Sequence, residues 1–257
     1  EFHNTLGTSY LELGRPADAQ RALEASLRIT PDNPRRLWRL GEALNQQDKL
    51  PEAVAHLEAS LAIAPDLAVA HATLGDVMGK QGREGQALVH YQAAVDADPQ
   101  LARAHARLGV AYAKQGQFAK AEPHLQQYVA IEPTSPHALT NLGNVLFQLR
   151  RAAEAAELLG RALQYDPDYS AAHVSYFQAL LAAGKQKEAV AALHAAHAAM
   201  PSVAPLAHRL AWMLATSAND DIRNPAEALQ VAERLSANAP PNADNLGVLA
   251  AAQAANG

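Results

Sequence analysis

Histidine and arginine are the residue types whose spacing in this chain could do chemistry. Neutral imidazole ligates metals and moves protons near neutral pH, and the chain has eleven histidines. His56, His90 and His124 follow one another at 34 residues. His3, His71, His105 and His173 share a second place in the same period. Equivalent places in stacked helical pairs lie about 10 Å or more apart, because neighbouring helices already pack at about 8–10 Å. Zinc holds its ligands at about 2.0–2.1 Å, so neither column can share one ion. His194 and His197 stand at i and i+3, but no third ligand joins them at helical spacing. The histidines therefore read as packing or solvated residues, and no metal site is expected. Other reactive groups lack their setting. Gly79-Lys80-Gln81-Gly82 has neither the strand nor the Lys-Ser/Thr ending of a phosphate loop. No serine sits in a Gly-x-Ser-x-Gly turn, and Asp220-Asp221 lacks the ligand spacing of a calcium loop. Neither enzyme activity nor a cofactor is expected. The arginines are different. Arg35 and Arg39, and again Arg103 and Arg107, lie one helical turn apart, and guanidinium forks grip carboxylates bidentately.

The elements that must position these groups are set by a repeat. Pro31, Pro65, Pro99, Pro133, Pro167 and Pro201 are each 34 residues apart, and Pro240 follows after 39. Leu-Gly recurs in phase with them at Leu6-Gly7, Leu40-Gly41, Leu74-Gly75, Leu108-Gly109 and Leu142-Gly143. Tyr10, Leu44, Met78, Tyr112 and Leu146 follow three residues after the glycines. Ala19, Ala53, Ala87, Ala121 and Ala155 stand twelve after them, and Leu23, Leu57, Tyr91, Leu125 and Leu159 four further on. Leu, Gly and the large apolar residue at i, i+1 and i+4 share one face of a first helix. Gly and Ala leave room for a second helix to approach closely. Gly14, Gly82, Gly116 and Gly184 suit the left-handed residue that ends a helix. Pro16, Pro51 and Pro225 suit the start of second helices, and each closing proline stops the second helix.

This pattern resembles the tetratricopeptide repeat family over nearly the whole chain, in the manner of bacterial multi-repeat arrays. The resemblance implies an all-α, right-handed superhelix of about seven and a half helix-turn-helix repeats, one solenoid over residues 1–257. Repeats over 1–168 are regular. Those over 169–241 are expected to be less so, because Tyr176-Phe177 replaces Leu-Gly and would splay its pair, and an Asp/Asn-rich insert occupies 216–224. A truncated eighth unit covers 242–257, where Leu249, Ala250 and Gln253 begin its first helix. Its missing partner would leave an apolar face open to self-association.

The resemblance also implies a scaffold that receives a peptide on the inner face of the first helices. The residue two before each repeat glycine should point there: Thr5, Arg39, Thr73, Arg107, Asn141, Ser175 and Arg209. This row resembles the asparagine ladder of O-linked N-acetylglucosamine transferases, although only Asn141 keeps the asparagine. Arg35, Arg103, Lys80 and Lys114 lie on the same helices and make the groove locally basic, with Glu42 and Asp76 interrupting it. The expected partner-binding set is Arg35, Trp38, Arg39, Thr73, Lys80, Arg103, Arg107, Lys114, Asn141, Asn144 and Arg209, and the expected ligand is an extended acidic peptide. Trp38 is read as groove-facing and Trp212 as buried. The two-carboxylate clamp of some family members is not expected, since Trp38, Glu42 and Thr73 fill its other places. Two alternatives stay open: the substrate-recruiting arm of a glycosyltransferase-like enzyme, and a self-assembling module.

Composition narrows the partner. The formal net charge is −5, from 21 basic and 26 acidic residues. No Lys/Arg-rich run supports a nucleic-acid footprint. Cysteine is absent, which removes disulfide and thiolate chemistry. No apolar run approaches the 18 or so residues of a membrane span; Ala189 to Met200 is broken by His194 and His197. Neither a span nor a signal peptide is expected within the chain, whose compartment is read as bacterial cytoplasm or periplasm. The chain opens inside a first helix and is read as a fragment, with Glu1-Phe2 a possible cloning remnant.

Overall fold

The computed structural model describes residues 2–199, 204–238 and 243–256. Those residues form fifteen α-helices and no strand. They fall into two compact units, 1–131 and 132–257. The first unit holds four helical pairs: α1 (Phe2–Glu12) with α2 (Pro16–Ile29), α3 (Pro34–Gln46) with α4 (Leu50–Ile63), α5 (Ala68–Lys80) with α6 (Glu84–Ala97), and α7 (Ala102–Lys114) with α8 (Phe118–Ile131). The second holds α9 (Pro136–Gln148) with α10 (Ala152–Tyr165), α11 (Ser170–Ala182) with α12 (Gln186–Ala199), α13 (Ala204–Thr216) with α14 (Pro225–Asn238), and the single helix α15 (Ala243–Asn256). First helices start at Pro34, Ala68, Ala102, Pro136, Ser170 and Ala204, a constant step of 34 residues. The helical register therefore continues past residue 168, beyond which the sequence predicts less regularity.

The first five pairs are held by the glycine's missing side chain. A Cβ on Gly41 would lie 2.6 Å from Cγ of Leu57, and one on Gly109 would lie 2.6 Å from Cγ of Leu125. Gly75 meets the Tyr91 ring in the same way. Leu23, Leu57, Leu125 and Leu159 are fully buried in these slots, as are Ala19, Ala53, Ala121 and Ala155. Burying such a leucine contributes about 1.5–3 kcal/mol, so the slot is the main local source of cohesion within a pair.

The turns also follow the sequence. Gly14, Gly82, Gly116 and Gly184 take φ of 65°, 72°, 72° and 75°. Asp48 (φ 56°) and Arg150 (φ 64°) occupy the same place without being glycine. At the unit boundaries Thr30, Ala64, Asp98 and Asp166 are extended, with ψ of 85°, 85°, 94° and 93°. The proline that follows each of them requires this. Pro201 and Pro240 lie outside the described residues. Asn33 caps α3, its side-chain oxygen accepting from the amide of Arg36 at 3.1 Å.

In the second unit, Phe177 fills the place of the repeat glycine and is buried, with Leu193 fully buried on α12. The α11–α12 contact is sparser than that of α9 with α10. The insert between α13 and α14 is a pinned turn: Ile222 is buried, and the Asn224 amide donates to the Leu214 carbonyl at 2.9 Å. Helix α15 packs on α13 and α14 through Val248 and Ala252, leaving Leu246 exposed. No described helix is long and apolar enough to cross a membrane.

Candidate functional site

Four of the expected cations converge in the first unit. Lys80 on α5 and Arg103, Arg107 and Lys114 on α7 line one open concavity of about 530 Å³, with Asp76, Glu84 and Tyr91. The repeat places them together, because Arg103, Arg107 and Lys114 share a stripe of α7 and Asp76 follows the repeat glycine of α5. Asp76 is the organising group. One of its oxygens accepts from Nη2 of Arg103 at 2.8 Å. The other lies 2.8 Å from Nε of Arg107 as an ion pair and accepts from the Tyr91 hydroxyl at 2.9 Å. Arg103 also donates to Glu42 at 3.0 Å. Burial alone would lower the pKa of Arg103, but Asp76 and Glu42 more than offset it and hold the guanidinium above its ordinary value. Burial, then the Asp76 charge, pushes the Tyr91 hydroxyl well up. The acidic interruptions are thus ion-pair partners of the arginines.

What remains for a ligand is specific. Arg107 spends only Nε on Asp76, leaving its terminal nitrogens without a partner among the described residues. Lys114 is exposed and has no ion pair among the described residues. Lys80 is committed, with Nζ 2.7 Å from the Asp48 carboxylate and 2.7 Å from the Asn45 carbonyl.

The remaining expected residues are placed differently. Thr73 has 0% of its surface exposed. Its hydroxyl donates to the Val69 carbonyl at 2.8 Å and accepts from the Trp38 indole at 3.0 Å. Thr73 thus serves as an internal anchor for Trp38 and offers no rung to a ligand. Trp38 is partly buried against the core, with the Arg39 guanidinium 4.8 Å over its ring. Arg35 is exposed, as is Thr5. In the second unit, Asn141 is half-buried and Asn144 exposed on α9, and Ser175 is half-buried on α11.

Arg209, on α13, lies with its guanidinium 5.7 Å from the centre of the Phe177 ring. Beside it Trp212 is 48% exposed, which corrects the expectation that this tryptophan is buried. Phe177, Leu181, Trp212 and Met213 line a shallow cleft with Arg209 and His208. Helical register places positions 209 and 212 on one face of α13, but whether that face stays open depends on the packing of α11.

The histidine columns meet each other. Nδ1 of His71 is 3.2 Å from Nδ1 of His90, and Nδ1 of His105 is 3.4 Å from Nδ1 of His124. Nε2 of His71 is 2.9 Å from the Pro65 carbonyl, and His105 and His173 make the same contact to Pro99 and Pro167 at 3.1 and 2.7 Å. A carbonyl only accepts, so Nε2 carries the proton and donates. In a neutral pair the Nδ1 of His71 then accepts from His90, and that of His105 from His124. Burial first, then the neighbouring His71, lowers the pKa of His90. Burial and His105 do the same for His124. No group of three or more metal-ligating side chains occurs among the described residues.

A comparison with the sequences of curated proteins found no match. Among solved structures, the C-terminal part of a TPR repeat-containing protein from Cytophaga hutchinsonii superposes with a TM-score of 0.74 at 16% identity, over 95% of this chain and 98% of that one. PilW, titled a widely conserved type IV pilus biogenesis factor, gives 0.70 at 21% identity over 81% and 97%. YrrB, titled a TPR protein with an unusual peptide-binding site, gives 0.64 at 19% over 73% and 97%. These likenesses carry the fold. Two family models, each described as Tetratricopeptide repeat, match residues 4–68 and, in overlapping segments, 80–142, 114–160 and 146–214. With the glycine-leucine slots and proline-closed turns repeating through both units, this chain belongs to the tetratricopeptide repeat family.

Proposed function

We propose that the chain is a protein-interaction scaffold whose first unit receives an extended acidic segment of a partner in the basin of α5 and α7. Proteins of this family mediate protein–protein interaction, and this reading gives that general role a ligand. The observation that carries it is the convergence of Lys80, Arg103, Arg107 and Lys114 on one concavity. Asp76 pairs with both arginines before a ligand arrives, which lowers the ordering cost of binding. Arg107 and Lys114 then supply the carboxylate contacts, while Arg103 keeps its own pairs. The field is short-ranged, because the Debye length is about 8 Å at physiological salt.

The test uses a fluorescein-labelled, blocked octapeptide alternating Glu with Gly and Ser, beside its Gln counterpart. The Glu peptide is expected to bind more tightly, and Arg107→Glu/Lys114→Glu to weaken it by about tenfold or more. Equal binding of the two peptides, or unchanged binding of the Glu peptide by the double variant, refutes the reading.

A further inference from the structure

We propose that the cleft between α11 and α13 is a second recognition site, which takes a large apolar side chain, aromatic by preference, with a carboxylate one or two residues away on the same partner segment. The cleft holds about 480 Å³, within the range of small-ligand pockets. Phe177 forms a buried floor, and two walls stay open: Trp212 at 48% and Leu181 at 37% exposed. Scattered exposed apolar residues need no explanation, but these two flank one concavity, and Met213 lines it with them. Met adapts to ligands of varied shape, and exposed Trp is the residue type that most often anchors binding energy.

Arg209 decides the occupant's charge. Its guanidinium faces the Phe177 ring and has no carboxylate partner among the described residues. A guanidinium spread over an aromatic face keeps its edge N–H donors available. An apolar slot bordered by one such fork complements an apolar side chain followed by an anion. At that spacing the carboxylate is an Asp or Glu side chain, and a terminal carboxylate on the apolar residue itself is a competing outcome of the test. This site lies wholly in the second unit and does not rest on the basin in the first.

Four blocked peptides test it against the full chain, with the two indole N–H signals read separately by NMR. They are Ac-Gly-Phe-Asp-Gly-Ser-NH2, its Asn-for-Asp and Ala-for-Phe counterparts, and a Gly-Ser peptide, blocked at its N-terminus alone, ending in Phe with a free carboxylate. The Phe-Asp peptide is expected to shift the Trp212 signal and leave that of Trp38 in place. Replacing Asp by Asn should weaken it about threefold to fivefold, the scale of a half-exposed ion pair, and Arg209→Gln should abolish that difference. Trp212→Ala, which removes its own indole signal and is therefore followed by the Phe ring signals of the peptide, should weaken all three Phe peptides about tenfold. Leu181→Ser, at the other wall, should do so in part and guards against a folding defect in the first variant. Tighter binding of Phe-Asp supports the side-chain assignment, and tighter binding of the peptide with free terminal carboxylate overturns it. The proposal falls if the Ala peptide titrates the Trp212 signal as well as Phe does. It also falls if Arg209→Gln leaves the Asp/Asn ratio unchanged.

Discussion

Replacing Gly41 by alanine should destabilise the first unit, although alanine is the better helix former. The propensity gain is about 0.5–1 kcal/mol. Against it, the new Cβ would lie 2.6 Å from Cγ and 2.9 Å from Cδ2 of Leu57, and 3.3 Å from the Ala53 carbonyl oxygen. Cγ is the branch carbon of a fully buried side chain, so it cannot swing aside as the end of a long chain could. Overpacking of this kind costs about 1–3 kcal/mol, which at the middle of both ranges leaves a net loss of about 1 kcal/mol. Gly85 is the control: it lies in the first turn of α6, and a methyl group added there would meet nothing within 4 Å. Gly85→Ala should therefore be neutral or stabilising by a few tenths of a kcal/mol to about 1 kcal/mol. Urea titrations of the two variants, read with amide exchange along α3 and α4, give the comparison. A double-mutant cycle isolates the contact: in a Leu57→Ala background the Gly41→Ala penalty should vanish and the propensity gain appear. If Gly41→Ala raises stability as Gly85→Ala does, or the penalty survives removal of Leu57, the slot is not what selects glycine.

Arg150→Gly should stabilise the second unit by about 1 kcal/mol, because Arg150 holds φ at 64°, where L-residues pay a steric cost; thermal melting checks it. Stability should fall as pH drops below about 6.5. The depressed pKa values of His56, His90 and His124, all set first by burial, mean that the unfolded chain binds more protons in that window. Their contribution is present above the unfolded value and is lost as pH falls through the folded one. Glu58 partly opposes the shift at His90 and Arg83 adds to it, Glu24 opposes it at His56, and Tyr112 stacks on His124. His90→Gln/His124→Gln should flatten the slope in urea midpoints measured between pH 7.5 and 5.5; an unchanged slope would place the titrating groups elsewhere. Asp76→Asn should weaken folding by about 1–2 kcal/mol, since it strips charge from a partner shared by two arginines. It should at the same time loosen the Glu octapeptide, and unchanged or tighter binding would refute the assignment of Asp76 as the organiser of the arginines.

Much of this was legible in the sequence, because periodic constraints leave periodic residues. The slot glycines and the left-handed turn glycines are demanded by backbone geometry that a single repeat already fixes. Asp48 and Arg150 show the limit: the fold imposes φ there, so residue type gives no sign. Register also predicted which face Trp38 and Thr73 share, but not that they bond each other across 35 positions. Trp212 escaped because its exposure depends on how its neighbours on α11 pack. The histidine spacing addressed only members of one column, whereas the contact runs between columns at 19 residues, a distance no internal period announces. Arg103 meeting Glu42 across 61 positions is of the same kind.

The contact of a histidine with the proline carbonyl six residues before it recurs at His71, His105 and His173. A deletion of residues 71–104 would join Ala70 to His105 and set that imidazole six positions after Pro65, so the junction rebuilds the tie it interrupts. Duplication of the same stretch does likewise. Replication slippage in the gene can therefore lengthen or shorten the array without inventing new joints. The basin does not copy this way. Along the column of Asp76 stand Glu42, Val110 and Asn144, so a duplicated period brings its own arginine organiser only if it includes residue 76. Array length and recognition are inherited separately, the one by whole periods and the other by single codons.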